Sequence, residues 1–395
     1  MKKSIVGAAA ASLCFVSAGW LVFCAEPTPP SELAKQAFSV PSSEGQLWSK
    51  IAPFFTPPSQ FARDFGNYKS PLSFYDGTPV KTPSQWPKRR QEILTWWHGM
   101  MGAWPPLLDK PKIEYLGKTR GDNFTQHKVS IEIAPDHRTF SGYLLVPDGQ
   151  GPFAAVVVVF YEPETAIGLG KDYRDFALQL ARRGFVALSV GHQASLYYPS
   201  EAKAELQPLS ALAYAAANCY NALTNLPEVD PRRVGIMGHS YGGKWAMFAS
   251  CLYDKFACSV WSDPGIVFDE SRPNVNYWEP WYLGYELGTK RAPGVVTANN
   301  SRTGAYRRMV AEGHDLHELH ALMAPRPFLV SGGSEDRPER WKALNHAVAV
   351  NKFLGYENRV ALTSRPDHNP TAESNEQLYL FFEYFLKRTK ATSER

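Results

Sequence analysis

The sequence VGIMGHSYGG at residues 234–243 constrains the fold more than any other part of the chain. An apolar run of strand length leads into G-H-S-Y-G at 238–242, and an apolar run of helical length follows. Glycines flank Ser240 because a tight turn between a strand and a helix leaves no space for side chains on either side of it. The pattern predicts a strand–turn–helix unit that lifts the Ser240 hydroxyl above the edge of a sheet.

Short apolar runs alternate with helical stretches from residue 152 onward, which is typical of a parallel sheet covered on both faces. Strands are predicted at 154–160, 185–190, 234–237, 257–261, 327–330 and 359–363, after an entry hairpin at 129–133 and 142–146. Helices are predicted at 82–102, 173–183, 210–225, 242–252, 315–323, 341–354 and 374–387. With the serine turn, this order predicts the α/β-hydrolase fold, a mostly parallel central sheet flanked by helices.

We divide the 395 residues into three parts. Residues 1–25 are predicted to be a signal peptide, and 26–105 an N-terminal extension packed on the core. Residues 106–390 are predicted to form the catalytic domain. Within it, residues from about 266 to 313 follow the sixth predicted strand and are polar and aromatic, so we predict a lid-like insertion there.

The N-terminus has the build of a secretory leader, since Lys2 and Lys3 precede an apolar run. Cleavage after Ala18 and cleavage after Ala25 both fit. Cys24 resembles a lipoprotein cysteine, but the large Phe23 precedes it where a small residue is needed. An uncleaved anchor is a third reading, which we rank below cleavage. The leader predicts a secreted or periplasmic protein without stable membrane insertion.

Charge and cysteine content exclude several classes of protein. The formal net charge of +4 falls by two when the leader is removed, so no nucleic-acid partner is expected. Cys219, Cys251 and Cys258 remain after the leader, an odd number that allows one disulfide at most. Their apolar surroundings favour buried thiols.

A nucleophilic serine needs a base and an orienting acid, which follow it in the order Ser, Asp/Glu, His in this fold. His368 follows the last predicted strand and is the predicted base. Asp336 follows the strand before it and is the predicted acid. Asp263, after the strand at 257–261, is the alternative acid, and Glu335 is the third candidate.

Two backbone N–H groups are predicted to hold the oxyanion. One belongs to Tyr241, at the start of the helix after the serine. The other belongs to Tyr161, with Glu162 as the alternative, because this loop follows the strand that ends at Phe160.

No cofactor or metal is expected. His314, Asp315, His317 and His320 lack the H-E-x-x-H spacing of a zinc helix and fit an amphipathic helix.

Several stretches together resemble the bacterial glucuronoyl esterases and the wider acetyl xylan esterase-like proteins. They are TPSQWPKRR at 82–90, GHS at 238–240, GK at 243–244, FA at 256–257, SDPG at 262–265, LMAPRP at 322–327 and SED at 334–336. The resemblance implies that Lys244 contacts sugar hydroxyls and that Trp281 lies on the substrate side. It also implies that the acid stands at either Asp263 or Asp336.

The chain departs from that family at Tyr241, where those esterases carry an arginine directly after the nucleophile. We therefore expect a secreted serine esterase whose substrate is an acetyl or a uronoyl ester on a plant or algal polysaccharide, cleaved through an acyl-enzyme. The alternative is a serine peptidase of the prolyl-oligopeptidase type, which shares the G-x-S-Y-G-G turn. The N-terminal stretch is too short for the propeller domain of such peptidases.

Overall fold

The computed structural model describes residues 43–192 and 196–387. The predicted signal peptide and residues 26–42 of the predicted extension lie outside the described residues. The helices are α1 (Ser43–Ile51), α2 (Trp86–Met101), α3 (Phe176–Arg182), α4 (Pro208–Thr224), α5 (Tyr241–Leu252), α6 (Gly304–Ala311), α7 (Leu316–Ala321), α8 (Trp341–Phe353) and α9 (Ala372–Lys387). The strands are β1 (Ile113–Arg120), β2 (Phe124–Glu132), β3 (Thr139–Pro147), β4 (Phe153–Phe160), β5 (Val186–Gly191), β6 (Val229–His239), β7 (Cys258–Ser262), β8 (Phe328–Gly332) and β9 (Val360–Ser364).

The strands form one sheet in the order β1-β2-β3-β5-β4-β6-β7-β8-β9. The pairs β1/β2, β2/β3 and β3/β5 are antiparallel, and every pair from β5/β4 to β8/β9 is parallel. The predicted hairpin is the β2/β3 pair. The predicted fold class is thereby confirmed: a mostly parallel sheet with helices on both faces.

Apolar residues fill both faces of the sheet because side chains alternate along each strand. In β4, Val157 and Val159 belong to the core cluster that includes Trp245 of α5. Val156 and Val158 point to the opposite face, where they join the cluster that includes Phe382 of α9. All four valines are at most 1% exposed, so the helices cover this strand completely.

The first described segment of the N-terminal extension, α1 with the turn that follows it, lies against α9. The Trp48 ring is 5.2 Å from that of Tyr384, and the Phe55 ring is 6.4 Å from that of Phe381. These aromatic contacts bring the first described helix to the sheet face that α9 covers.

Strand β1 was not predicted, and this changes the count of strands before the insertion. Its first residue, Ile113, is half-buried and the other seven are exposed, so its sequence lacks an apolar alternation. The segment that we predicted after the sixth strand therefore follows the seventh, β7. The segment also contains α6, which was not predicted.

The three cysteines of the described chain are unpaired and buried. Burial raises the pKa of Cys219 to about 12, so this thiol stays protonated at neutral pH. In residues 43–192 and 196–387, no helix combines the length and apolarity that crossing a bilayer requires.

Candidate active site

Ser240 stands at the turn between β6 and α5, in a backbone conformation with φ 57° and ψ −114°. Its N–H donates to Ser262 O at 2.8 Å, which ties the turn to the end of β7. A Cβ on Gly238 would overlap Gly242 O, and a Cβ on Gly242 would overlap Val159 O. The close approach of backbone to backbone explains both glycines, and the positive φ of Ser240 is a strained conformation typical of functional turns.

His368 lies between Ser240 and a buried carboxylate. Its Nε2 is 2.8 Å from Ser240 Oγ, and its Nδ1 is 2.7 Å from Asp263 Oδ2. Both hydrogen bonds form when the proton is on Nδ1, because Nδ1–H then donates to Asp263 and Nε2 accepts from the serine hydroxyl. Nε2 is therefore set to take the serine proton.

The second oxygen of Asp263 binds the loop that follows β8. Oδ1 accepts from the backbone N–H groups of Gly333 at 2.6 Å, Asp336 at 2.9 Å and Glu335 at 3.1 Å. Asp263 is completely buried, and such N–H bonds stabilise a carboxylate in its charged form. This side chain is therefore held firmly in the orientation in which it meets His368.

Asp336, the acid that the sequence analysis predicted first, forms no hydrogen bond with His368. Its carboxylate accepts from Gly265 N at 2.8 Å and Ile266 N at 2.7 Å, below the loop that carries Asp263. Burial, and next the charge of Asp263, raise the pKa of Asp336 to about 7. The geometry corrects the first choice: the acid bonded to the imidazole is the alternative, Asp263.

Glu335 adds a third carboxylate beside this pair. It is 2% exposed, and Ser334, Arg272 and Asn274 donate to its Oε1. Donor atoms of Asp263, Glu335 and His368 lie within 4.8 Å of one another, which is close enough to share a metal ion. Two of these groups are already joined by the bond that orients the imidazole, so a metal there would displace the Nδ1 proton.

The histidines around α7 do not converge on one point. His314 Nδ1 is 2.6 Å from Glu318 Oε2, and the His314 ring stacks on Trp96. His317 Nε2 donates to Lys69 O at 2.7 Å. These contacts attach α7 and the turn before it to the N-terminal extension, at Trp96 of α2 and at Lys69. The histidines therefore have a structural use.

The two predicted oxyanion donors come from adjacent strand ends, because Val159 of β4 pairs with Gly238 of β6. Tyr161 follows β4, and Tyr241 is the first residue of α5. Their rings stack at 4.3 Å with an interplanar angle of 12°. Within the described residues, neither backbone N–H is used in a hydrogen bond. The backbone N–H groups of Tyr161 and Tyr241 therefore stay predicted donors to the oxyanion.

Lys244, for which the resemblance implies a contact with sugar hydroxyls, is buried in the structure, and that contact stays a prediction. It is 3% exposed, and its ammonium group donates to Pro264 O and lies 4.8 Å from the Tyr277 ring. Burial lowers the pKa of Lys244 to about 8. The insertion supplies Tyr277, so the segment that we predicted as a lid covers the lysine.

Trp281 lies in the insertion on the same side as the stacked tyrosines. It is half-buried, 6.2 Å from the ring of Tyr282, which in turn lies 6.0 Å from the ring of Tyr241. Tyr241 and Tyr282 are buried, so Trp281 and Tyr161, which is 38% exposed, supply the aromatic surface on this side.

Comparison with known proteins agrees with this architecture. The dienelactone hydrolase family model matches residues 140–262. The 4-O-methyl-glucuronoyl methylesterase of Schizophyllum commune is 24% identical over 267 residues, which are 66% of this chain and 65% of the relative, just under two thirds of its length. The 4-O-methyl-glucuronoyl methylesterase 1 of Wolfiporia cocos is 23% identical over 382 residues, or 90% of this chain and 88% of the relative.

Solved structures with a similar fold include esterases of the same kind. A glucuronoyl esterase from Solibacter usitatus has a TM-score of 0.65 and 17% identity, covering 83% of this chain and 98% of its own. One from Caldicellulosiruptor kristjansonii has a TM-score of 0.60 and 24% identity, with coverage of 84% and 93%. An acetyl xylan esterase-like protein from Bacteroides fragilis has a TM-score of 0.53 and 16% identity, with coverage of 76% and 79%. The chain therefore has the α/β-hydrolase fold and is similar to the glucuronoyl esterases and to acetyl xylan esterase-like proteins.

Proposed function

We propose that this protein hydrolyses uronoyl esters of carbohydrates with Ser240 as nucleophile, His368 as base and Asp263 as orienting acid. The observation that carries the proposal is the unbroken chain of hydrogen bonds from Ser240 Oγ through the imidazole to Asp263, at 2.8 and 2.7 Å. The leader with Lys2 and Lys3 supports secretion, as suits an enzyme that acts on polysaccharide outside the cell.

In the first half of the reaction, Ser240 Oγ attacks the ester carbonyl carbon while His368 Nε2 takes the serine proton. Negative charge develops on the carbonyl oxygen, which the N–H groups of Tyr241 and Tyr161 stabilise. The positive charge on His368 is stabilised by Asp263. When the tetrahedral intermediate collapses, Nε2 gives its proton to the departing alkoxide, and an alcohol leaves.

In the second half, water replaces the alcohol. His368 Nε2 removes a proton from the water, whose oxygen attacks the acyl carbon on Ser240. Collapse of this intermediate breaks the bond to Ser240 Oγ, which recovers its proton from His368. The products are a free carboxylic acid and the original enzyme, and no cofactor enters the balance.

The uronoyl assignment takes support from the relatives and from the aromatic surface. Two relatives are named 4-O-methyl-glucuronoyl methylesterases, and their alignments include the nucleophile region. Trp281, which is half-buried, and Tyr161, which is 38% exposed, have ring area that suits the apolar faces of a sugar. Tyr241 is compatible with this substrate when the backbone N–H groups alone hold the oxyanion.

An acetyl ester is the second candidate, because Tyr241 replaces the family's arginine and an acetyl xylan esterase-like protein shares the fold. The peptidase alternative is not favoured. Helices α1 and α2 and irregular turns occupy residues 43–112, in place of the strands of a propeller.

The substrate is tested by measuring benzyl alcohol release from benzyl glucuronate and acetate release from acetylated xylan side by side. We expect kcat/KM for the glucuronate ester to exceed that for the acetyl ester by about tenfold or more, since a positioned group adds ~1.4 kcal/mol or more of transition-state binding. A Ser240→Ala control shows that release depends on the triad. Acetate release without benzyl alcohol release would replace the uronoyl assignment by the second candidate.

Replacing Trp281 with alanine is expected to raise KM for benzyl glucuronate about five- to tenfold with little change in kcat, since loss of one stacking face removes about 1 kcal/mol of uniform binding. The matched control is Trp341→Phe, because Trp341 is buried in α8 and belongs to the core. Steady-state kinetics distinguish the two variants. An unchanged KM in Trp281→Ala would remove this residue from the substrate site.

A further inference from the structure

Arg365 lies buried at the catalytic edge of the sheet, between the end of β9 and the histidine loop. We propose that Arg365 is a positioning residue, which fixes the backbone of His368 so that the imidazole meets Ser240 and Asp263 together. No sequence pattern had singled it out. The proposal rests on the triad assigned above and does not depend on which ester is the substrate.

Two donors of the guanidinium bind the histidine loop itself. Nη2 donates to His368 O at 2.7 Å, and Nε donates to Asn369 O at 2.9 Å. Both acceptors are main-chain carbonyls, so these bonds fix the position of the loop independently of its side chains. The loop also has a bond from outside, where Arg174 Nη2 donates to Asn369 Oδ1 at 2.8 Å.

The remaining donors connect this loop to the ends of β7 and β8. Nη1 donates to Ser331 O at 2.7 Å, to Ser331 Oγ at 3.1 Å and to Gly332 O at 3.3 Å. Nη2 also lies 3.3 Å from Ser262 Oγ, on the residue before Asp263. One planar group thereby joins the strand end that carries the acid to the loop that carries the base.

Arg365 is a buried cation, and this indicates that its hydrogen bonds to the histidine loop and to the strand ends have a specific structural use. Arg365 is 7% exposed, and within the described residues its hydrogen bonds go to carbonyl and hydroxyl oxygens, while the charges of Asp263 and Asp336 act on it without a direct hydrogen bond. Burial lowers the pKa of its guanidinium, since the charged form loses its hydration. A buried cation is costly unless its donors are satisfied, and here main-chain carbonyls and serine hydroxyls satisfy them. A lysine cannot reproduce this fork of donors.

Two bonds of His368 depend on where this loop holds it. Ser240 and Asp263 lie on opposite sides of the imidazole, at 2.8 and 2.7 Å. A displacement of the backbone by about 1 Å lengthens at least one of the two bonds, and misplacement of this size costs about 10²-fold in rate. Loss of Arg365 is therefore expected to lower the reactivity of Ser240 without removing any group that touches the substrate.

The test compares Arg365→Gln and Arg365→Lys with Arg326→Lys. Arg326 is a matched control, because it also donates to main-chain carbonyls, those of Ser250, Phe256 and Leu322. None of these carbonyls belongs to the loop that carries His368. The readout is the rate of Ser240 labelling by a fluorophosphonate, which needs an activated serine and no particular ester. We expect a fall of about 10²-fold in Arg365→Gln, about tenfold in Arg365→Lys and under about twofold in Arg326→Lys.

A second readout separates positioning from general loss of structure. The proton shared by His368 Nδ1 and Asp263 is expected to give a downfield proton resonance in the wild type and in Arg326→Lys, and to lose it in Arg365→Gln. Folded Arg365→Gln that keeps this resonance and labels within about threefold of wild type would overturn the proposal.

Should both Arg365 variants fail to fold, Ser262→Ala combined with Ser331→Ala removes two side-chain acceptors of Arg365; it also removes the hydrogen bond between Ser262 Oγ and His239 Nδ1, so Ser262→Ala alone is measured beside it. This double variant is expected to label about three- to tenfold more slowly, and an unchanged rate would overturn the proposal. Failure of the wild type to cleave glucuronate esters while it still labels would reject the proposed substrate and leave this proposal standing.

Discussion

Replacing Ser240 with alanine is expected to lower kcat for ester hydrolysis by about 10⁶-fold, because loss of the nucleophile removes the acyl-enzyme route altogether. KM is expected to change little, since the aromatic surface of Trp281 and Tyr161 is intact. The hydroxyl makes one side-chain bond, to His368, so the melting temperature is expected to stay close to that of wild type. Kinetics on benzyl glucuronate and thermal denaturation measure both.

The control for this variant is Ser364→Ala. Ser364 is an exposed serine at the end of β9, four residues before His368, so it shares the region but not the hydrogen bond. Its kcat is expected to equal that of wild type. Residual activity of Ser240→Ala above about 1% of wild type would contradict the assignment, since a triad serine accounts for far more than 10²-fold.

Replacing Asp263 with asparagine is expected to lower kcat by about 10⁴-fold, because an amide that donates toward Nδ1 forces the imidazole into the wrong tautomer. His368 Nε2 then carries the proton and cannot accept one from Ser240. Asp336→Asn is the matched comparison, with the same chemical change at the end of the next strand. It is expected to cost about tenfold, through weaker support of the loop at Gly265 and Ile266.

The order of the two effects decides which aspartate is the acid. Rates of fluorophosphonate labelling and kcat on benzyl glucuronate are expected to fall in parallel for each variant. A greater loss in Asp336→Asn than in Asp263→Asn would contradict the geometry and return to the first prediction from the sequence.

The sheet and two members of the proposed triad were accessible from the sequence for physical reasons. Strands covered on both faces are continuous apolar runs, so β4 to β9 were recognisable. The flanking glycines revealed Ser240, because no side chain fits beside it. His368 was found because the carboxyl ends of parallel strands share one edge of the sheet, and it follows the last strand.

The choice between the two aspartates was not accessible in the same way. Ser262 pairs with Ser331, so Asp263 and the start of the next loop lie side by side at one edge. Both aspartates follow apolar strands, and each carboxylate accepts N–H groups from the other's loop. Only the direction in which each loop turns separates the two roles, and this depends on contacts distant in sequence.

Two other features were not accessible from the sequence, because each depends on contacts with distant parts of the chain. Lys244 is charged and lies one turn after Ser240, which suggests a surface position, but the insertion covers it with Tyr277 and Tyr282. Strand β1 is exposed along seven of its eight residues, so backbone pairing with β2 holds it in the sheet and no apolar pattern reveals it.

The central claim is that this chain cleaves uronoyl esters through an acyl-enzyme on Ser240. Trapping of the acyl-enzyme by rapid acid quench during hydrolysis of benzyl glucuronate in heavy-oxygen water, followed by mass spectrometry of the protein and of both products, tests it most directly. The account predicts that the protein gains the mass of one glucuronoyl group on Ser240, and an unmodified protein during turnover would contradict it. The account predicts one heavy oxygen in the glucuronate, none in the benzyl alcohol, and no release of either product by Ser240→Ala. Heavy oxygen in the alcohol, or release that persists in Ser240→Ala, would contradict it.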